Sequence, residues 1–275
     1  MKLKSILLSI LISSTINSLS QKIDIGIFQH LKTSKMLIEA NTGKYKIRSG
    51  NKTLYRLKKN RSIIVNLTNN YINISNSKKD FGLHKEVEIV AKKYKFSKRH
   101  SSKKSKKNCE LNISLIIPKQ SVRTYQGNIR INLNEKELEL VNQLSLPDYL
   151  AGVVEAESGS KEVAEYYKNQ AVICRTYAMA TLDKHKREGF NLCDGVHCQA
   201  YKGKSTSNPM IQKAVKDTKG LVIVDKNDQL ISALFSANCG GQTNNSEDVW
   251  STALPYLRSI KDIYCTDQRQ ARWTK

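Results

Sequence analysis

The chain has 275 residues, 39% of them hydrophobic, enough for a sizeable core and one or two domains. Forty-six Lys and Arg against 24 Asp and Glu give a formal charge of +22, which calls for an anionic partner or environment. The six cysteines (109, 174, 193, 198, 239 and 265) are too sparse for a dense disulfide framework in a chain of this length.

Residues 1–20 (MKLKSILLSILISSTINSLS) place two lysines before an apolar stretch and then small residues, the layout of a secretory signal peptide. An uncleaved anchor is the alternative, because no A-x-A pattern marks a cut. No later segment approaches the roughly 18 apolar residues needed to span a bilayer. Export turns the positive charge away from nucleic acid, toward anionic polymers or lipid surfaces outside the membrane, and it permits disulfides.

From Lys22 to about Asn142 the pattern favours strands. The runs IDIGIF, GKYKIRSG, SIIVNLTNNYINIS, EVEIVA and LNISLIIP are separated by Gly, Asn, Ser and Lys. GNIRINLN and LELVNQL read as a hairpin around Asn134, Glu135 and Lys136. A basic run, residues 92–107 (KKYKFSKRHSSKKSKK), interrupts this region, which suggests one sheet with a long insertion. The run is either a solvated, self-repelling loop or a surface that adheres to an anionic wall.

At Ser145 the character changes. Ser145-Leu146-Pro147-Asp148 fits a capped helix start with proline in the first turn, and Gly159 supplies a stop. A second helix is expected after Ser160 and as far as about Arg187. Its apolar stripe is Val163, Tyr167, Ala171, Cys174, Ala178 and Leu182. A short helix near Asn208–Thr218 follows, and then LVIV and LISALFSA form a hairpin around Asp225–Gln229. The expected class is α+β: a strand-rich N-terminal part with a basic insertion, then a two-helix core with a β-hairpin.

At about 100° per residue, Leu146, Leu150 and Val153 share one sector of the first helix, and Glu157 falls in its middle. A carboxylate continuing an apolar stripe is costly to ionise, which suits a general acid. The competing reading leaves Glu157 in the last turn, reaching solvent. Glu155, on nearly the opposite side, reads as an ordinary surface residue. Lys168 and Arg175 border the stripe of the second helix, where they either face the same cleft as Glu157 or form a solvated edge.

Cys193, His197 and Cys198 gather three metal-ligand types in six residues, and His185 upstream is a candidate fourth for a tetrahedral zinc. A Cys193–Cys198 disulfide is the alternative. Cys239 precedes Gly240-Gly241, which suits a tight turn or a ligand cleft. Cys265 is a plausible disulfide partner for Cys239. Glu247 and Asp248 form a weaker acid pair, with Ser246 read as the cap of a short turn carrying Trp250.

The ordered motifs SLPDYLAGVVEAESGS, NQAVICRTYA, LCDGVHCQAY, GGQTNNSEDVW and PYLRS resemble the stage II sporulation protein D (SpoIID)/LytB family. The resemblance covers roughly Ile23 to Cys265 and is strongest from about Arg123 onward. It divides the chain into a signal peptide (1–20), a strand-rich region (21–122) and a catalytic domain (123–275) whose last element is expected beyond Lys275.

The resemblance implies a peptidoglycan lytic transglycosylase that cleaves MurNAc–GlcNAc bonds and leaves 1,6-anhydro-MurNAc ends. Glu157 would be its single acid/base, and Lys168, Arg175, Gly240 and Gly241 would orient the sugar. Zinc would sit on Cys193, His197, Cys198 and His185. Some relatives instead enhance wall amidases, so the implied alternative is a non-catalytic wall-binding protein that activates an amidase. A muramidase using water and a zinc hydrolase are the remaining rivals. The sequence departs from the family at Ser236, Cys239 and Ser158-Gly159.

Overall fold

The computed structural model describes residues 22–92, 109–134, 136–236 and 238–266. The expected signal peptide and almost all of the basic run lie outside them. Among the described residues no helix is long and apolar enough to cross a membrane.

Two compact units divide the chain, one running to Tyr149 and one beginning at Leu150, with the short segments 193–195 and 202–204 counted in the first. The division falls at 149/150 rather than 122/123 because the strands after Arg123 pair into the sheets of the first unit.

The first unit is built from β1 (Lys22–Ile27), β2 (Lys35–Thr42), β3 (Lys44–Ser49), β4 (Lys52–Lys58), β5 (Ser62–Thr68), β6 (Tyr71–Ser75), β7 (Asp80–His84), β8 (Val87–Ala91), β9 (Glu110–Ile117), β10 (Arg123–Gln126), β11 (Asn128–Asn134) and β12 (Glu137–Ser145). They form two sheets, not one. The first runs β1-β12-β11-β8-β3-β4, with the two-residue β13 (Leu192–Cys193) beside β1; the second runs β10-β9-β2-β5-β6-β7. Alternate residues are buried on both: Ile23, Ile25 and Ile27 on β1 and Ile129 and Ile131 on β11, against Met36 and Ile38 on β2 and Ile63 and Val65 on β5. Period-2 burial on two sheets makes one apolar layer between them.

The sequence runs IDIGIF, GKYKIRSG, EVEIVA and LNISLIIP correspond to β1, β3, β8 and β9, and the hairpin of β11 and β12 closes at Asn134↔Glu137. SIIVNLTNNYINIS splits into β5 and β6 around Asn69 and Asn70, whose φ of 49° and 60° suit a two-residue hairpin turn. Strands β2, β4, β7 and β10 fall outside the expected runs: β2 interleaves Lys35, Glu39 and Ala40 with its apolar residues, β4 and β7 are polar edges, and β10 has only four residues. Gly127, at φ 87°, carries the chain from β10 in one sheet to β11 in the other. A Cβ there would meet the Gln143 carbonyl oxygen at 2.2 Å, so only glycine fits.

Helix α1 spans Leu146–Ser158. Its start is the expected capping arrangement: the Ser145 hydroxyl accepts from Asp148 N–H at 3.3 Å and meets the Asp148 carboxylate at 2.8 Å. Gly159, at φ 71°, ends it, its N–H donating to Glu155 O.

Helix α2 (Ala164–Ala180) is shorter than expected. Val163 is exposed and precedes it, and the chain leaves the helix at Thr181, whose hydroxyl donates to Tyr177 O. Asn191 then takes the Leu182 carbonyl, and Gly189 closes the turn at φ 84°. Helix α3 (Pro209–Asp217) is capped by the Asn208 side chain accepting from Met210 N–H. The hairpin expected around Asp225–Gln229 is reduced to a single bridge, Val224↔Leu230. Two strands with no third neighbour and exposed apolar faces, Leu221 and Val224 among them, lack the burial to extend further. A short helical turn, α4 (Glu247–Trp250), carries an exposed Trp250.

Candidate functional site

Glu157 lies in the last turn of α1, and the structure corrects its expected burial. The helix is buried all round from Tyr149 to Val154, but Glu155 and Ala156 are half-buried and Glu157 is exposed. The apolar stripe stops one turn before it. Its carboxylate accepts the Ala200 N–H at 2.6 Å.

Glu155, expected to be an ordinary surface residue, organises the neighbouring loop. Its carboxylate accepts the Ser205 hydroxyl, the Thr206 N–H at 3.0 Å and the Ser207 N–H at 3.3 Å. Desolvation would raise this group, but the hydrogen bonds from Ser205, Ser207 and Thr206 together outweigh it and hold the carboxyl below its usual value. Two carboxylates on one helix end thus grip the two ends of the segment 200–207.

Arg175 does not face solvent or a cleft. It is 5% exposed, and its guanidinium donates to Leu221 O at 3.0 Å, Val215 O at 3.2 Å and the Thr218 hydroxyl at 3.4 Å. It caps the C-terminal end of α3 from α2, where carbonyls lack helical partners and a cation is favoured. Lys168 is half-exposed and donates to Glu165 at 2.7 Å. Neither set of contacts involves Glu157. Cys174, buried on the inner face of α2, is an inert thiol: burial pushes it up to about 12, with Glu157's charge adding to the effect.

His185, Cys193, His197 and Cys198 do converge. Each offers one ligand atom, and those atoms all lie within 4.8 Å of one another. The set is local, held in the single stretch 185–198. His185 is buried at 8% exposure and stacks on Phe190, with 5.0 Å between ring centroids. Its Nδ1 meets Glu188 Oε1 at 2.8 Å, while its buried Nε2 has no hydrogen-bond partner. A histidine oriented by a carboxylate on one nitrogen and orphaned on the other fits a metal ligand. No cysteine among the described residues is in a disulfide. The Lys184 ammonium donates to the His197 carbonyl and so fixes the loop from outside.

Gly240 and Gly241, at φ 71° and 103°, form a turn with one polar group of each used internally. Gly240 N–H donates to Asn238 Oδ1 at 2.7 Å, and Gly241 O accepts from Asp262 N–H at 2.8 Å. Glu247 is not a free acid. Arg258 grips it with both terminal nitrogens and holds its carboxyl down to about 2. The Ser246 hydroxyl makes no helix cap; it donates to Thr252 O and accepts from Leu254 N–H.

Residues 134–224 match the family model described as Stage II sporulation protein. This segment holds Glu157, Lys168, Arg175 and the Cys/His loop. Over it, the chain is similar to the SpoIID/LytB family. Three relatives show the extent of the likeness. An uncharacterized protein of Brachyspira hyodysenteriae is 34% identical over 54% of this chain and 40% of its own length. The amidase enhancer of Bacillus subtilis is 37% identical over 46% of this chain and 16% of its own. Stage II sporulation protein D of Bacillus subtilis is 30% identical over 49% and 43% respectively. The aligned part covers less than half the length of each.

Proposed function

We propose that the chain acts on the glycan strands of peptidoglycan outside the cytoplasmic membrane, as a lytic transglycosylase with Glu157 as general acid/base. The observation that carries this reading is the placement of Glu157. Inside the family segment, it presents an exposed carboxylate at a helix end, steadied by one backbone N–H at 2.6 Å. Protonated Glu157 would donate to the glycosidic oxygen as positive charge develops on the MurNAc ring. The carboxylate so formed would take the proton from the C6 hydroxyl, which closes on C1 to give the 1,6-anhydro product. One carboxyl serves both steps, whereas hydrolysis usually pairs two across the bond. Because Glu157 is exposed, the bound glycan itself would supply the desolvation that favours its protonated form.

His185, Cys193, His197 and Cys198 would hold a zinc ion, which supplies a structural cross-link of the loop 185–198. Ala200, two residues past Cys198, carries the N–H that steadies Glu157, so fixing this loop fixes the acid. The formal charge of +22 suits an anionic wall polymer. Arg175 and the Gly240-Gly241 backbone belong to the scaffold in this reading, leaving Lys168 as the candidate cation for the sugar.

A second reading, a non-catalytic wall protein that activates an amidase, is favoured by the likeness to the amidase enhancer of Bacillus subtilis. Mass spectrometry of purified glycan strands, after incubation with the protein and with Glu157→Gln, separates the two. New anhydro-MurNAc ends from the unsubstituted protein alone are expected. Folded protein that yields no new ends on intact or peptide-stripped strands, but stimulates a wall amidase equally with and without the substitution, would establish the second reading.

A further inference from the structure

We infer that Cys239, Asp262 and Cys265 form a second metal site, separate from the loop 185–198, that takes a thiophilic divalent cation of the zinc type. The three residues each offer one ligand atom, all within 4.8 Å of one another, and all three are half-buried. The inference is independent of the glycan-cleaving role of Glu157.

The scaffold brings these groups together without help from the thiols. The Gly240-Gly241 turn reverses the chain after Cys239. Asp262 N–H then donates to Gly241 O at 2.8 Å, and the bridge Gln242↔Lys261 zips the two segments. Asn238 ties the far end, its Nδ2 donating to Cys265 O at 3.0 Å. Gly241 is obligatory at φ 103°, where a Cβ would lie 2.8 Å from Thr266 Cγ2. The ligand groups therefore sit on a pinned frame.

The carboxylate distinguishes this set from a pair of cysteines awaiting a disulfide. Asp262 Oδ1 is oriented by Tyr264 N–H at 3.1 Å, while Oδ2 accepts from the Cys239 thiol at 3.5 Å. A carboxylate oxygen thus lies within 4.8 Å of both sulfurs, where a disulfide has no use for one. Two sulfurs and one carboxylate match the donor preferences of zinc, and three protein ligands leave a fourth position for water or an anionic group.

The test is a cobalt(II) titration of the full chain, purified and held reduced, followed through the sulfur-to-cobalt absorption bands. Two equivalents per chain are expected. Cys239→Ser or Cys265→Ser should each remove one equivalent, and Asp262→Asn should weaken that equivalent by about tenfold or more. His185→Ala should remove the other equivalent and leave this one intact, so that failure at one site is not mistaken for failure at the other. A titration in which Cys265→Ser changes nothing would overturn the inference. So would an Asp262→Asn variant that binds normally, or exported protein whose non-reducing digest links Cys239 to Cys265.

Discussion

At the scale of single residues, the two glutamates of α1 exchange the parts that periodicity assigns them. Glu157 continues the wheel's apolar sector but projects from the final turn into solvent. Glu155 leaves that sector but is drawn in by Ser205, Thr206 and Ser207. Its folded pKa is depressed, so its contribution to stability is full above the ordinary carboxylate range and is lost as pH falls through the lowered value. Glu155→Gln should cost about 1–2 kcal/mol near neutral pH, the roughly 1.5–3 kcal/mol of hydrogen bonds to a charged group reduced by solvent screening of a half-buried carboxylate. In denaturant melts at stepped pH, the gap between variant and parent should close on the acid side. A gap that persists unchanged at pH 3 would show that the carboxylate's charge is not what holds the loop.

At the scale of elements, α2 and α3 are joined by a buried guanidinium rather than by apolar contact alone. Arg175→Ala strands the carbonyls of Val215 and Leu221, and Arg175→Lys cannot span the same fork. Both variants should lose roughly 1.5–3 kcal/mol of stability, read from thermal or denaturant unfolding. A variant with normal stability but impaired glycan binding would return Arg175 to the cleft. The helix ends were legible because their signals are local: Ser145 with Asp148, Gly159, and Asn208 ahead of Pro209. The convergence of His185, Cys193, His197 and Cys198 was legible for the same reason. Glu155 and Arg175 were not, because their partners lie 40 or more residues away along the chain and no periodicity reports them. Strands β2, β4 and β7 leave little trace in the sequence because alternation is faint where alanine or an exposed edge replaces a large apolar residue.

At the scale of the whole molecule, a zinc ion in the loop 185–198 would add stability in proportion to its binding free energy, since an unfolded chain has no such preformed site. A strong chelator should therefore lower the midpoint of thermal unfolding, and re-addition of zinc should restore it. Glu188→Gln, which removes the carboxylate on His185 Nδ1 while sparing all four ligands, should weaken zinc binding about 10- to 100-fold in a competition titration. No response to chelator in protein shown to be metal-loaded would mean that the loop is held by its own contacts.

The edge position of β4 carries a further consequence. Among the described residues it is the last strand of its sheet, and its outer rim of backbone amides and carbonyls pairs with no further strand, a template on which another chain could add. Lys52, Arg56 and Lys58 stand exposed along that rim, with Lys59 just beyond. A second copy docking edge to edge would bring like charges into register at close range, and the ladder would not extend. Part of the surplus positive charge thus keeps the molecules apart from one another at high concentration, whatever polymer the remainder attracts.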